Sequence, residues 1–188
     1  MKKLLLGASA AAALLAPCAA FSQYVGLGVG PSRIDINCAG ATTCDKTDTG
    51  FKLYGGLHFA GPFAAELTYF GWGKANLTAV PPGGGTSDLK TRSRGLGLGV
   101  AYFIPLAAVQ CVVRAGVARN RAETDTTLNG VSSSVTFNKT APYYGTGCAW
   151  GFAPTWWLTG EVDFSRAKYT ATDDADLRLI TLGIRHSF

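Results

Sequence analysis

Counting back from the C-terminus, every second residue is Phe188, His186, Ile184, Leu182 and Ile180, and those between are Ser187, Arg185, Gly183 and Thr181. A period of two belongs to an extended strand, because successive side chains leave opposite faces of the pleat. The stretch from Asp176 to Phe188 therefore reads as a strand with one apolar face and one small or polar face. Any fold built on such strands has to cover the apolar face with another sheet, a ligand or lipid.

The rest of the chain repeats the pattern. Twenty-four glycines and few helix-period segments point to an all-β protein. Three short apolar connections carry proline: Ala60-Gly61-Pro62, Pro105-Leu106-Ala107-Ala108 and Ala153-Pro154-Thr155. Between them lie long polar connections, Asn37 to Thr49, Lys74 to Leu89, Ala122 to Asn138 and Ala167 to Asp176. Strict alternation of tight turns and long loops predicts an up-and-down meander with turns at one end and loops at the other. Eight strands are expected, at Tyr24–Ile36, Gly50–Phe59, Phe63–Gly73, Lys90–Ile104, Val109–Arg121, Lys139–Phe152, Trp156–Arg166 and Leu177–Phe188. Each has about the ten residues that a tilted membrane-spanning strand requires, or somewhat more.

Phase within the strands chooses the cover. Leu96, Leu98, Val100, Tyr102 and Ile104 share one face, and Gly95, Gly97, Gly99 and Ala101 the other. Phe51, Leu53, Leu57 and Phe59 oppose Lys52, Tyr54, Gly56 and His58, and Tyr144, Cys148, Trp150 and Phe152 oppose Gly145, Gly147, Ala149 and Gly151. A soluble barrel with the bulky face inside would leave glycines and charges over its outside; a soluble sandwich burying that face is the competing arrangement. A lipid-facing barrel accounts for both faces, since a narrow lumen takes glycines and paired charges. The expected fold is an all-β, eight-stranded antiparallel up-and-down transmembrane β-barrel. Two aromatic belts are expected at its interfaces: Phe59, Phe63, Tyr102, Phe152, Trp156 and Phe188 near the turns, and Phe51, Trp72, Phe164 and Tyr169 near the loops.

The first 22 residues read as a secretory signal peptide: a basic Met1-Lys2-Lys3, an apolar run from Leu4 to Ala16, Pro17, and a small-residue cleavage site at Ala20-Phe21-Ser22. The barrel domain then spans 23–188. Cys18 raises acylation, but Leu15-Ala16-Pro17-Cys18 puts proline where a lipobox wants a small residue. Of 17 basic residues two lie in the leader, which leaves 15 against 12 acidic ones and a formal charge of +3. That balance is no nucleic-acid signature, and no cofactor or metal motif stands out.

The segments Tyr24-Val25-Gly26-Leu27-Gly28-Val29-Gly30, Cys38 to Gly56 and Glu66 to Ala75, together with the terminal aromatic strand, resemble the small OmpA-like outer-membrane β-barrel proteins of proteobacteria. The resemblance covers essentially the whole chain after the leader. It implies a bacterial outer-membrane location, and a terminal Phe188 read by the barrel-assembly machinery. An even strand count places both termini on the periplasmic side. No peptidoglycan-binding segment follows Phe188, so cell-wall tethering is not expected.

Phase places Lys52, Glu66, Arg114, Glu161, Asp163 and Arg185 in the lumen. Charges in a narrow low-dielectric interior have to pair, so a salt-bridge network centred on Glu66, Arg114, Glu161 and Arg185 is expected. Pairing Phe164 with Ile180 sets Glu161 near Arg185. In OmpA-like proteins such a cluster is regarded as a plug or gate; purely structural pairing is the simpler reading. On the outward phase at the loop end stand Lys90, Arg92, Arg94, Arg119 and Arg121. If Val100 faces Val113, Arg94 faces Arg119 and Arg92 faces Arg121. Facing cations want a counter-ion, and lipopolysaccharide phosphates suit arginine; the alternative is solvated rim charge.

Four cysteines in an exported chain suggest disulfides. Cys38 and Cys44 flank a short loop segment and are expected to bond. Cys111 and Cys148 share a phase on adjacent strands, which allows either a cross-strand disulfide or two lipid-facing thiols. Catalysis is not expected: His58 points into the lumen, and adjacent His186 and Ser187 leave opposite faces of a strand. The composite expectation is a monomeric outer-membrane protein with a structural and surface-interaction role. It would contact outer-membrane lipids and lipopolysaccharide, and offer loops to a host or surface ligand. A narrow pore for ions or small solutes is the alternative, and a lipid A-modifying enzyme a further one.

Overall fold

The structure, a computed structural model, describes residues 23–80, 87–128, 131–170 and 173–188. The leader expected over 1–22, Cys18 included, lies outside them. The strands are β1 (Gln23–Asp35), β2 (Thr43–Asp45), β3 (Thr47–Ala60), β4 (Phe63–Ala79), β5 (Ser87–Leu106), β6 (Val109–Leu128), β7 (Val131–Ala153), β8 (Trp156–Lys168) and β9 (Asp174–Ser187). Eight of them form a closed antiparallel ring in which each long strand pairs with its neighbours in the chain, β9 pairs with β1, and the three-residue β2 lies on β4 at the loop end.

All eight expected strands are present, and several continue well into what reads as loop. β6 and β7 stay paired as far as Leu128 and Val131. Polar Thr and Ser runs look like loop, yet the backbones stay paired, and facing side chains bond as well, Thr91 with Thr124 at 3.1 Å inside the barrel and Thr127 with Ser132 at 3.0 Å at its exposed end.

Two registers differ from expectation by two residues. Val100 faces Ala115, not Val113, because the β5–β6 connection is only Ala107-Ala108 between paired Leu106 and Val109, with Ala107 at φ 54°. Phe164 faces Arg178, not Ile180, and Arg185 faces Trp157. A shift of two keeps each side chain on its face, so the phases hold.

The bulky phase is outside: Leu98 is 66% and Leu182 70% exposed. A wall of such residues needs an apolar cover. The interior has three layers. Toward the loops, Ile34, Phe70, Trp72, Leu177 and Leu179 pack together; toward the turns, Tyr24, Tyr54, Phe103 and Val112 do. Charged residues lie between. Phe59, Phe63, Tyr102, Phe152, Trp156 and Phe188 are all outward near the turns. The loop-side belt is different from expectation. Phe51 faces out, but Trp72 and Tyr169 are buried in the lumen. The alternation through Glu66 already carries Trp72 inward, and Tyr69 and Tyr144 stand outside instead.

Candidate functional site

The charged layer is built by inward positions of β3, β4, β6 and β8. Arg114 is its hub. Its guanidinium lies 3.0 Å from Glu66, 3.1 Å from Glu161 and 3.7 Å from Asp163. The Lys52 ammonium lies 2.6 Å from both Glu161 and Asp163. All five side chains are essentially inaccessible. Two cations thus hold three carboxylates, with tyrosines supplying further donors. The Tyr24 hydroxyl donates to Glu66 at 2.9 Å, and that of Tyr54 to Glu161 at 3.4 Å.

Glycine makes room for those rings. A Cβ on Gly26 would lie 2.2 Å from the Tyr54 ring, and one on Gly56 2.3 Å from the Tyr24 ring. The two tyrosines therefore fill the lumen where the facing wall has no side chain. Sequence reasoning did not single them out, although a tyrosine on the glycine-rich phase was a readable signal. It likewise missed Asn120, whose carboxamide accepts from Trp72 Nε1 at 3.1 Å and donates to Ser165 at 2.8 Å.

Arg185 is inward but stands apart from the network expected for it. The register places it one layer toward the turns, where it donates to Gln110 at 2.5 Å. The rings of Trp157, Phe103 and Tyr24 lie 5.1, 5.2 and 5.8 Å from its guanidinium carbon. Such faces attract a cation through the ring quadrupole. Glu161 pairs instead with Lys52 and Arg114.

Lys90, Arg92, Arg94, Arg119 and Arg121 all face outward near the loop end. Their expected opposition is corrected by the register. Arg92 faces Glu123, Lys90 faces Asp125, and Arg119 faces Leu96; Arg94 and Arg121 face each other. The register adds two unforeseen neighbours. Lys74 faces Arg92 from β4, and Arg33 faces Arg178 across the β1–β9 seam. Beyond that level Lys46 donates to Asp35 at 2.6 Å and holds its carboxyl below the ordinary carboxylate range.

Cys38 and Cys44 are disulfide-bonded in the first loop, and Cys111 is bonded to Cys148 across β6 and β7. His58 packs inside against Phe103 and Tyr24, with ring centroids 5.0 and 5.5 Å away. His186 sits between the outward rings of Trp156 and Phe188, 4.6 Å from each. The Phe188 amide donates to the Gln23 carbonyl at 2.9 Å, which closes the seam.

The family model described as outer membrane protein beta-barrel domain matches residues 4–188. Among solved structures, Ail, the attachment invasion locus protein of Yersinia pestis, is 17% identical; the match covers 89% of this chain and 99% of that one, with a TM-score of 0.56. Neisserial surface protein A is 17% identical over 88% of this chain and 97% of its own, with a TM-score of 0.57. The outer membrane protein AlkL in lipid bilayers is 15% identical over 89% and 90%, with a TM-score of 0.52. At these identities the likeness is one of fold. Comparison with curated protein sequences gives no match.

Proposed function

Because the chain belongs to the outer-membrane β-barrel domain family and is an integral protein of the bacterial outer membrane, we propose that it acts as a plugged, non-enzymatic barrel that stabilises the membrane and presents its loop end to the outside. The observation that carries this reading is the Lys52–Glu66–Arg114–Glu161–Asp163 network, buried between two packed aromatic layers. An eight-stranded interior is just wide enough for its own side chains, and these residues fill it. The paired strands beyond the membrane level, β5 to β7, form the surface available for adhesion. Ail, of the same fold, has been solved with the heparin analogue sucrose octasulfate, which supports an interactive role for such a surface. The termini are periplasmic in this reading, residues 1–22 are a cleaved leader, Phe188 is the assembly signal, and the barrel works as a monomer.

The outward cations give the barrel its grip on the outer leaflet. Lys90, Arg92, Arg94, Arg119 and Arg121 stand where lipopolysaccharide phosphates supply counter-ions, and the facing pair Arg94–Arg121 calls for one most directly. Single-channel recording tests the plug: the wild type is expected to hold no sustained open state, and large open-state currents would overturn the reading. Lipopolysaccharide retention tests the grip. An Arg92→Ala, Arg94→Ala, Arg119→Ala, Arg121→Ala variant should lose it, and unchanged retention would defeat that grip.

A further inference from the structure

Strand β4 carries a bulge that reorganises the outer wall. Its register passes from Gly71 opposite Arg94 to Gly73 opposite Ser93, so Trp72 is the extra residue and goes inward. Beyond it the alternation reverses, and Lys74 comes to the outside opposite Arg92. Both glycines are needed there. Gly73 has φ +78°, a conformation that favours glycine. A Cβ on Gly71 would lie 2.4 Å from the Phe51 ring. The bare backbone and the displaced strand leave a cleft of about 370 Å³, lined by Asp48, Phe51, Tyr69, Lys74, Arg92 and Arg94 among others.

The lining has two kinds of chemistry. Phe51 and Tyr69, 5.9 Å apart between ring centroids, form an apolar floor on the lipid-facing phase. Three cations stand on the loop side of that floor; Asp48 is the one carboxylate in the lining, and Glu123 faces Arg92 from β6. An occupant that satisfies both parts is anionic at one end and apolar at the other. Asp48 narrows it further: a carboxylate repels a bare phosphate but accepts hydrogen bonds from sugar hydroxyls. We propose that the cleft seats a single phosphorylated, acylated glycolipid of the outer leaflet. One phosphate lies among Lys74, Arg92 and Arg94, a sugar hydroxyl donates to Asp48, and the acyl part lies on Phe51 and Tyr69. The proposal rests on the grip described above but makes a sharper claim. It assigns one stoichiometric site at the β3–β4–β5 wall rather than a diffuse band.

Native mass spectrometry of the full barrel in neutral detergent, titrated with diphosphoryl lipid A, tests it. The wild type is expected to retain one lipid A tightly. Lys74→Ala with Arg92→Ala should weaken that binding by roughly tenfold or more, and Phe51→Ala should weaken it as well. Arg33→Ala with Arg178→Ala, facing cations on the β1–β9 seam outside the cleft lining, should leave it intact. Heat-modifiable gel migration verifies that each variant is folded. Equal binding by Lys74→Ala/Arg92→Ala overturns the site, as does equal binding of dephosphorylated lipid A. Displacement by inorganic phosphate at comparable concentration also overturns it, by marking a free-anion site. If Arg33→Ala/Arg178→Ala loses as much as Lys74→Ala/Arg92→Ala, the cleft fails and the outward cations act as one diffuse set. If neither pair changes binding and the quadruple variant retains lipopolysaccharide, both fail.

Discussion

Lys52 and Asp163 meet at 2.6 Å across the barrel lumen, 111 residues apart in the chain and both fully buried. They come from β3 and β8, strands that do not pair with one another. Their contact therefore depends on the closed ring rather than on any single hairpin. Removing Lys52 leaves two buried carboxylates, Glu161 and Asp163, one cation short. Lys52→Met is expected to lower stability by about 3–5 kcal/mol, read as a lower urea midpoint in detergent micelles. Adding Asp163→Leu should recover most of it, because the rest of the lumen then holds Arg114 and Arg185 against Glu66 and Glu161.

Arg114 touches all three carboxylates of the layer. Arg114→Ala withdraws the hub and leaves Glu66 with no ion pair among the described residues. Water should follow, and planar-bilayer recording should then show cation-selective currents absent from the wild type. Identical traces for the two proteins would mean that another layer, such as Phe70 and Trp72, blocks the lumen by itself.

The two disulfides sit in different solvents. Cys38–Cys44 is in the first loop, whereas Cys111–Cys148 lies on the lipid-facing side, one outward step along β7 from the exposed Trp150. Thiol–disulfide exchange proceeds through a thiolate, which hydrocarbon does not sustain. A water-soluble reductant added to the inserted protein should open Cys38–Cys44 and leave Cys111–Cys148 closed, as read by alkylation and peptide mass mapping. Oxidant supplied after insertion of a reduced chain should likewise fail to close Cys111–Cys148, so its closure precedes insertion.

The β5–β6 register can be tested directly. In a background lacking the native cysteines, Val100→Cys with Ala115→Cys places two outward thiols directly opposite each other. In the barrel folded in detergent, a micelle-permeable oxidant should join this pair readily, and Val100→Cys with Val113→Cys should stay reduced. The reverse result would restore the four-residue turn.

What could be read from the residues was periodic, and what could not depended on single positions. Alternation assigned Lys52, Glu66, Arg114, Glu161 and Asp163 to one interior, because a narrow barrel offers a strand only two faces. It could not say which of them touch. That depends on register, and register at β5–β6 turned on Ala107 accepting a positive φ in a two-residue connection. The same uncertainty misplaced Arg185 by one layer. Trp72 was misread because aromatics near a membrane boundary suggest a belt, although its phase pointed inward. The cleft beside Lys74 follows from the bulge between Gly71 and Gly73, where one residue reverses the alternation.

The layout of the interior charge has a consequence for assembly. A sheet that has not yet gained β8 sets Lys52 and Arg114 against Glu66 alone, and carries surplus positive charge on the face that should close. Neutrality comes only when Glu161 and Asp163 arrive, with Arg185 following on β9, at three cations to three carboxylates. Partial sheets are thus electrically unfinished, and the smallest balanced object this chain can make is the complete ring. Closure of the ring is thus the point at which the interior charge balances, because the last strands supply the charge that the first ones lack.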